Sequence, residues 1–75
     1  MNMEDLCYKI EFTTMSGIEK KIVDIERSYL LLLYNTLKQA IDIKTIDVID
    51  TTSGEILWTW ECGKIIYKNV DWVDD

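Results

Sequence analysis

The side chains of this chain that could do chemistry are carboxylates and two cysteines, because the sequence contains no histidine. Without histidine, general acid–base catalysis would need a pair of carboxylates with shifted pKa values, or a lysine or cysteine held in a pocket. Asp47 with Asp50, or Glu55 with Glu61, could supply such a pair. Solvent-facing positions are expected at all four residues, so the pattern favours a protein that is not an enzyme.

The two cysteines match neither a nucleophile nor a zinc site. Cys7 and Cys62 are far apart, fit no CxxC spacing and have no histidine to complete a zinc site. Neither lies beside an evident base or helix N-terminus, which a cysteine nucleophile needs. The carboxylates match no calcium-binding loop, and the isolated glycines form no phosphate-binding loop. We therefore expect no metal, no cofactor and two reduced thiols.

The strongest compositional signal is acidity. The chain has 14 Asp and Glu against 8 Lys and Arg, a net charge of -6 over 75 residues. Direct binding of nucleic acid is not expected, because phosphate contacts need clustered Lys and Arg. An acidic surface can instead steer a basic partner and occupy a site that normally holds phosphates. The alternative is that the charge serves solubility alone, and clustering of the carboxylates separates the two interpretations.

Length and composition predict one folded domain over residues 1–75, since 48% of the residues are hydrophobic and 29% are charged. No apolar run approaches the roughly 18 residues that span a bilayer. The first five residues are acidic where a signal peptide would be basic. We expect a cytoplasmic protein and no membrane contact. The isoleucine- and lysine-rich usage is typical of low-GC bacteria and their phages.

The elements that must position these side chains begin with a predicted β-hairpin. Residues 6–14 alternate between apolar and polar side chains, which is typical of a half-buried strand. Residues 15–17 interrupt the alternation, and Gly17 can adopt the positive φ of a tight turn. The second strand then covers residues 19–25. A long helix from residue 16 is the alternative, and we prefer the hairpin because a lone strand leaves its backbone unpaired.

The next predicted element is a helix over residues 29–41, where apolar residues recur at spacings of three and four. Ser28 is the candidate N-cap. The four leucines at 30–33 make the apolar stripe wider than one core face requires. Leu31 or Tyr34 is therefore a candidate for a second contact.

Alternation returns after the helix, predicting strands at 44–50 and 55–62 around a turn at 51–54, then a short strand at 64–67. The local connections favour an antiparallel sheet of four to five strands with one helix packed on a face, an α+β fold of order ββαββ(β). Residues 69–75 are predicted to be an acidic tail. The predicted core consists of Leu6, Ile10, Phe12, Leu33, Leu37, Ile41, Ile46, Val48, Trp58 and Ile65.

Aromatic residues are the second candidates for recognition. Trp58 and Trp60 share one strand face, but stacking on nucleobases also requires a positive groove, which the flanking residues do not supply. We place Trp58 in the core and Trp60 at either the core edge or a protein interface, where Trp and Tyr are enriched. The predicted partner-binding residues are Asp47, Asp50, Glu55, Trp60, Glu61, Tyr67, Asp71 and Trp72.

One stretch resembles a known group of proteins. Residues 50–57, Asp-Thr-Thr-Ser-Gly-Glu-Ile-Leu, resemble the D-x-x-T/S-G-E-I hairpin of short accessory proteins from phages and mobile elements. With its small size and acidity, the chain is similar to phage anti-defence proteins, which include CRISPR and restriction inhibitors. The resemblance implies a protein that docks on a host defence or nucleic-acid-handling enzyme.

Two other functions stay open from the sequence. One is a nucleotide or small-molecule binding module, with the ligand held between Trp or Tyr side chains. The other is a self-associating structural protein or homodimer, in which an edge strand pairs with its copy.

Overall fold

The computed structural model describes residues 7–73. Its elements are β1 (Tyr8–Thr14), β2 (Glu19–Ile25), α1 (Arg27–Lys38), β3 (Ile43–Asp50), β4 (Ile56–Glu61) and β5 (Lys64–Lys68). The strands form one antiparallel sheet in the order β2-β1-β3-β4-β5. The predicted α+β class and the order ββαββ(β) are confirmed. The predicted β1–β2 hairpin is present, and the alternative long helix from residue 16 is not.

The β1–β2 hairpin turns at the glycine that interrupts the alternation. Gly17 has a φ of +88° and donates its N–H to the Thr14 carbonyl at 2.9 Å. The Thr14 hydroxyl also accepts the Ile18 N–H at 3.1 Å, so this side chain holds the turn. On its other edge β1 pairs with β3, and Ile10 lies opposite both Ile22 and Val48. The predicted start of β1 at Leu6 lies outside the described residues.

Helix α1 starts and ends before the predicted positions. It begins at Arg27 after Glu26, whose backbone is extended, and Ser28 is a helical residue whose hydroxyl donates to Glu26 Oε1 at 2.7 Å. Its end at Lys38 leaves Ile41 97% exposed, so the predicted core position of Ile41 is wrong. The three-and-four spacing continues there by coincidence, since residues 39–42 turn the chain into β3.

The core lies between α1 and one face of the sheet. Tyr34 and Trp58 meet edge to face, with ring centroids 5.2 Å apart. Tyr34, a candidate for a second contact, instead lies in this main core, and Leu31 packs against it. The Trp58 indole N–H is buried without a hydrogen-bond partner in the described part of the chain. The core residues are Ile10, Ile25, Leu30, Tyr34, Ile43, Ile46, Val48, Leu57, Trp58, Trp60 and Val73.

The C-terminal segment closes one end of this core. Val73 is 4% exposed, and the Trp72 ring lies edge-on to Trp58 and to Tyr8 at centroid distances of 6.2 and 6.0 Å. The Asn69 N–H donates to the Leu57 carbonyl at 2.8 Å, which continues the contact of β5 with β4. The described part of the region predicted as an acidic tail therefore packs on the domain.

Candidate functional site

The predicted partner-binding residues fall in three places in the fold. One group lies at the end of the sheet where β1 begins, a second lies on the sheet face opposite the helix, and Trp60 lies in the core. The first group is Asp50, Glu55, Asp71 and Trp72, and the second is Asp47, Glu61 and Tyr67.

The first place gathers carboxylates because the strands are antiparallel. Tyr8 at the start of β1 lies opposite Ile25 at the end of β2 and Asp50 at the end of β3. Strand β4 begins and β5 ends at this same end, and α1 starts directly after β2. We call the five carboxylates there the acidic end, and they are Asp24, Glu26, Asp50, Glu55 and Asp71.

Asp50 and Glu55 lie at the two ends of the turn between β3 and β4, and their carboxylates have different surroundings. Asp50 Oδ1 accepts the Thr52 N–H at 2.9 Å, and the Asp50 carbonyl accepts the Gly54 N–H at 2.7 Å. Gly54 has a φ of +78°, which suits glycine in such a turn. The Asp50 carboxylate is therefore part of the turn, whereas that of Glu55 is exposed to solvent.

The cations at the acidic end are engaged by the C-terminal segment. The Arg27 guanidinium lies 4.1 Å from the centre of the Trp72 ring, a cation–π contact. Lys68 Nζ donates to the Val73 carbonyl at 3.4 Å. Within residues 7–73, no carboxylate of the acidic end forms an ion pair. The five carboxylates outnumber these two cations, so the acidic end carries a net negative charge.

Trp72 and Tyr8 pack against each other at the acidic end. The Trp72 ring is half-buried, with Arg27 over it and Tyr8 at its edge. Burial raises the pKa of the Tyr8 hydroxyl above its ordinary 10.0, Cys7 and Asp50 add to the rise, and Arg27 opposes it. Tyr8 is therefore neutral at physiological pH, and the charge of the acidic end is carboxylate charge.

The second place, the sheet face opposite the helix, mixes both signs of charge. Asp47 lies between Glu11 and Thr59 in the register, and the Thr59 hydroxyl donates to Asp47 Oδ1 at 2.6 Å. Glu61 lies opposite Lys64. Lysines alternate with these carboxylates, and Lys9 Nζ is 3.3 Å from Glu11 Oε2. This face is half-buried and polar, and it lacks the excess of carboxylates over cations found at the acidic end.

The third place is the core. Trp60 is 8% exposed and Trp58 is 0% exposed, because both point beneath the helix from β4. Neither ring can stack on a base or anchor a partner from this position. Tyr67, on edge strand β5, is 49% exposed and remains available. The placement of Trp58 in the core is confirmed. Trp60 is also a core residue and not a surface anchor.

One further surface was not among the predicted partner-binding residues. Exposed apolar side chains on β2 and α1 line an open groove of about 330 Å³ between the strand and the helix. Val23 is 49% exposed and Tyr29 55%. We call this surface the apolar shoulder, consisting of Ile22, Val23, Tyr29 and Leu33. Its only sequence signal was the excess width of the leucine stripe.

Other ligand sites have little support in residues 7–73. No group of three or more metal-ligating side chains converges there, and both cysteines are free thiols. None of the described helices is both long and apolar enough to cross a membrane. A cavity of about 420 Å³ beside β1 and β2 has lysines and carboxylates together in its lining, so it favours neither an anion nor a cation.

Comparisons with protein families, with curated proteins and with solved structures each found no match. The fold and its surfaces define a small α+β protein with an acidic end and an apolar shoulder. Those two surfaces are the candidate binding surfaces of the protein.

Proposed function

We propose that the protein is a non-enzymatic binding protein, an inhibitor or adaptor that docks its acidic end on a basic surface of another protein. The observation that carries this proposal is the gathering of five carboxylates at one end of the sheet, where Arg27 and Lys68 are held by the C-terminal segment. A net negative field steers a partner of positive charge and sets its orientation.

The partner's chemistry follows from this charge. Basic protein surfaces commonly serve to bind nucleic-acid phosphates, so an acidic protein seated on one blocks that site. The partner is accordingly an enzyme that handles nucleic acid. The resemblance of residues 50–57 to short phage accessory proteins supports a host defence enzyme as that partner, met in the bacterial cytoplasm.

The contact itself would centre on the exposed members of the acidic end. Glu55 and Asp71 are exposed, and the ring of Trp72, which follows Asp71 in the chain, is half-buried. Because the ring is fixed by Tyr8 and Arg27, its exposed edge offers apolar contact at little cost in side-chain entropy. Tyr67 on β5 is exposed but lies on the sheet face opposite the helix, outside this contact.

Two matched triple variants test the proposal. The first removes three charges from the acidic end, Glu26→Gln, Glu55→Gln and Asp71→Asn, and spares Asp50 because it holds its turn. The control removes three charges from the opposite end, Glu19→Gln, Asp42→Asn and Glu61→Gln. Both variants have the same net charge, so a difference between them reports position.

The measurement is capture from the lysate of a bacterial host, followed by calorimetry with the purified captured protein. We expect the acidic-end variant to bind about tenfold more weakly, from about 0.5 kcal/mol per charge, and the control to bind nearly as the parent does. Affinity should fall steeply with added salt, and the partner should lose its nucleic acid on binding. A salt-insensitive complex, or equal loss in both variants, would contradict the proposal.

A further inference from the structure

Strand β2 is an edge of the sheet with an apolar surface beside it. Its inner edge pairs with β1, and no described strand pairs with its outer edge. The exposed side chains of Val23 and Tyr29 line the groove beside this strand. An unpaired strand edge next to exposed apolar side chains is a template for adding a strand from another chain.

The charges of β2 are complementary to a second copy of β2. Full-length antiparallel pairing, centred on Ile22, places Lys20 of each copy opposite Asp24 of the other. This pair occurs twice by symmetry, and every other pair in the register includes an apolar residue. Opposite charges on facing strands stabilise pairing by about 0.2–1 kcal/mol each, whereas like charges oppose it.

The other edge of the sheet shows the reverse pattern. Full-length antiparallel pairing of β5 with its own copy, centred on Ile66, places Lys64 opposite Lys68 twice. Lysines on an edge strand are a common protection against such pairing. Both edges expose apolar residues, but only β2 has charges that favour its own copy in this register.

We infer that a second copy of this chain docks on β2 and the apolar shoulder, forming a dimer with two-fold symmetry. The two sheets become continuous, and both helices lie on the same side, so Tyr29 of each copy approaches the shoulder of the other. The bulge at Asp24, where φ is +56°, increases the twist at the end of β2. The exposed apolar side chains of the shoulder are covered by the other copy.

This interface meets the docking surface proposed above at Asp24 and Glu26, which line the groove of the apolar shoulder, whereas Glu55 and Asp71 lie outside it. The dimer is also driven mainly by apolar contact, so added salt should weaken it little. Failure of one proposal is thus distinguishable from failure of the other.

Sedimentation velocity over a range of concentrations tests the dimer on the full chain. We expect the mass to rise from the monomer value of 8.8 kDa towards twice that value. Val23→Lys and Tyr29→Lys should each hold the protein monomeric, and each should keep the thermal stability of the parent at concentrations where the parent is also monomeric, since both side chains are exposed. The matched control is Ile66→Lys on β5, where the side chain is 52% exposed, and it should leave the dimer intact.

A charge test examines the register. Lys20→Glu should weaken self-association about tenfold, because two attractive pairs become repulsive. Adding Asp24→Asn to that variant should restore part of the loss, and asparagine tolerates the positive φ at this position. A monomer at all concentrations, or dissociation by Ile66→Lys and not by Val23→Lys, overturns the inference. If Val23→Lys and Ile66→Lys differ as expected but Asp24→Asn restores none of the loss caused by Lys20→Glu, the proposed register is wrong.

Discussion

Strands β3 and β2 both combine isoleucine and valine with charged residues, and their surroundings are opposite. Ile46 and Val48 of β3 are 0% exposed, whereas Val23 of β2 is 49% exposed. Strand β3 has a strand on each side and the helix across it, while β2 has one neighbour and a bulge near its end. The same residue types are therefore core in one strand and surface in the other, because position in the sheet decides burial.

The difference separates stability from association. The centre of the sheet, β3 and β4, buries large side chains against the helix, and such burial is the main favourable term in folding. The β2 edge buries less and leaves apolar area that a partner can cover. Substitutions should accordingly affect folding at the centre and self-association at the edge.

The largest effect is expected for Trp58→Ala at the centre. Removing a fully buried indole should cost about 3–5 kcal/mol, a large share of the stability of so small a domain. Val23→Ala at the edge should cost less than about 0.5 kcal/mol in the monomer. Urea unfolding at low protein concentration measures both, and similar losses would remove the distinction between centre and edge.

The second largest effect is expected where Trp72 packs against one end of the core. Trp72→Ala removes the ring contacts with Tyr8 and Trp58 and the cation–π contact with Arg27. We expect a loss of about 2–3 kcal/mol, from the buried ring area and its aromatic contacts. Unfolding by urea gives the value, and Tyr67→Ala on the exposed β5 surface is the control. A loss as small as that of the control would mean that the C-terminal segment does not support the core.

A smaller effect is expected from loosening the edge hairpin. Gly17→Ala places a Cβ at a φ of +88°, which costs about 1–2 kcal/mol without any steric contact nearby. Because the turn joins β1 to β2, amide hydrogen exchange should speed up in β2 more than in β3. Gly63→Ala, at a φ of +99° between β4 and β5, is the matched control and should leave β2 unchanged. Equal acceleration in all strands would show that the edge does not open independently.

The smallest effect concerns Tyr8, which lies between the edge and the centre. Its pKa is raised in the folded protein, so the neutral hydroxyl stabilises the fold fully below the unfolded pKa of about 10. That contribution is lost as the pH rises from there through the folded pKa. Stability should therefore fall less steeply above pH ~10 in Tyr8→Phe than in the parent. Identical alkaline slopes in urea unfolding would contradict the assignment.

Much of the fold was predictable because its signals are local. The alternation over residues 6–14, followed by a turn at Gly17, predicted β2 with the bounds observed, and Trp58 was placed in the core correctly. The helix end was not predictable from spacing, since Ile41 continues the apolar period beyond Lys38. There the return of the chain to β3 decides the boundary, and no nearby residue type indicates it.

The candidate surfaces divide in the same way. Asp50 and Glu55 flank a turn that composition predicted, so their proximity was foreseeable. Their meeting with Asp24, Glu26 and Asp71 was not, because it depends on which strand ends lie side by side. Trp60 was a candidate anchor from its residue type, but the helix covers it.

The amino-acid sequence alone determined the acidity, the absence of histidine, the α+β class and the order of the elements, because composition and short periodicities carry that information. Antiparallel pairing then decided where the charge would gather and which apolar residues would stay exposed. These outcomes depend on contacts between residues far apart in the chain, which no local pattern specifies. The acidic end and the apolar shoulder are therefore products of the tertiary structure.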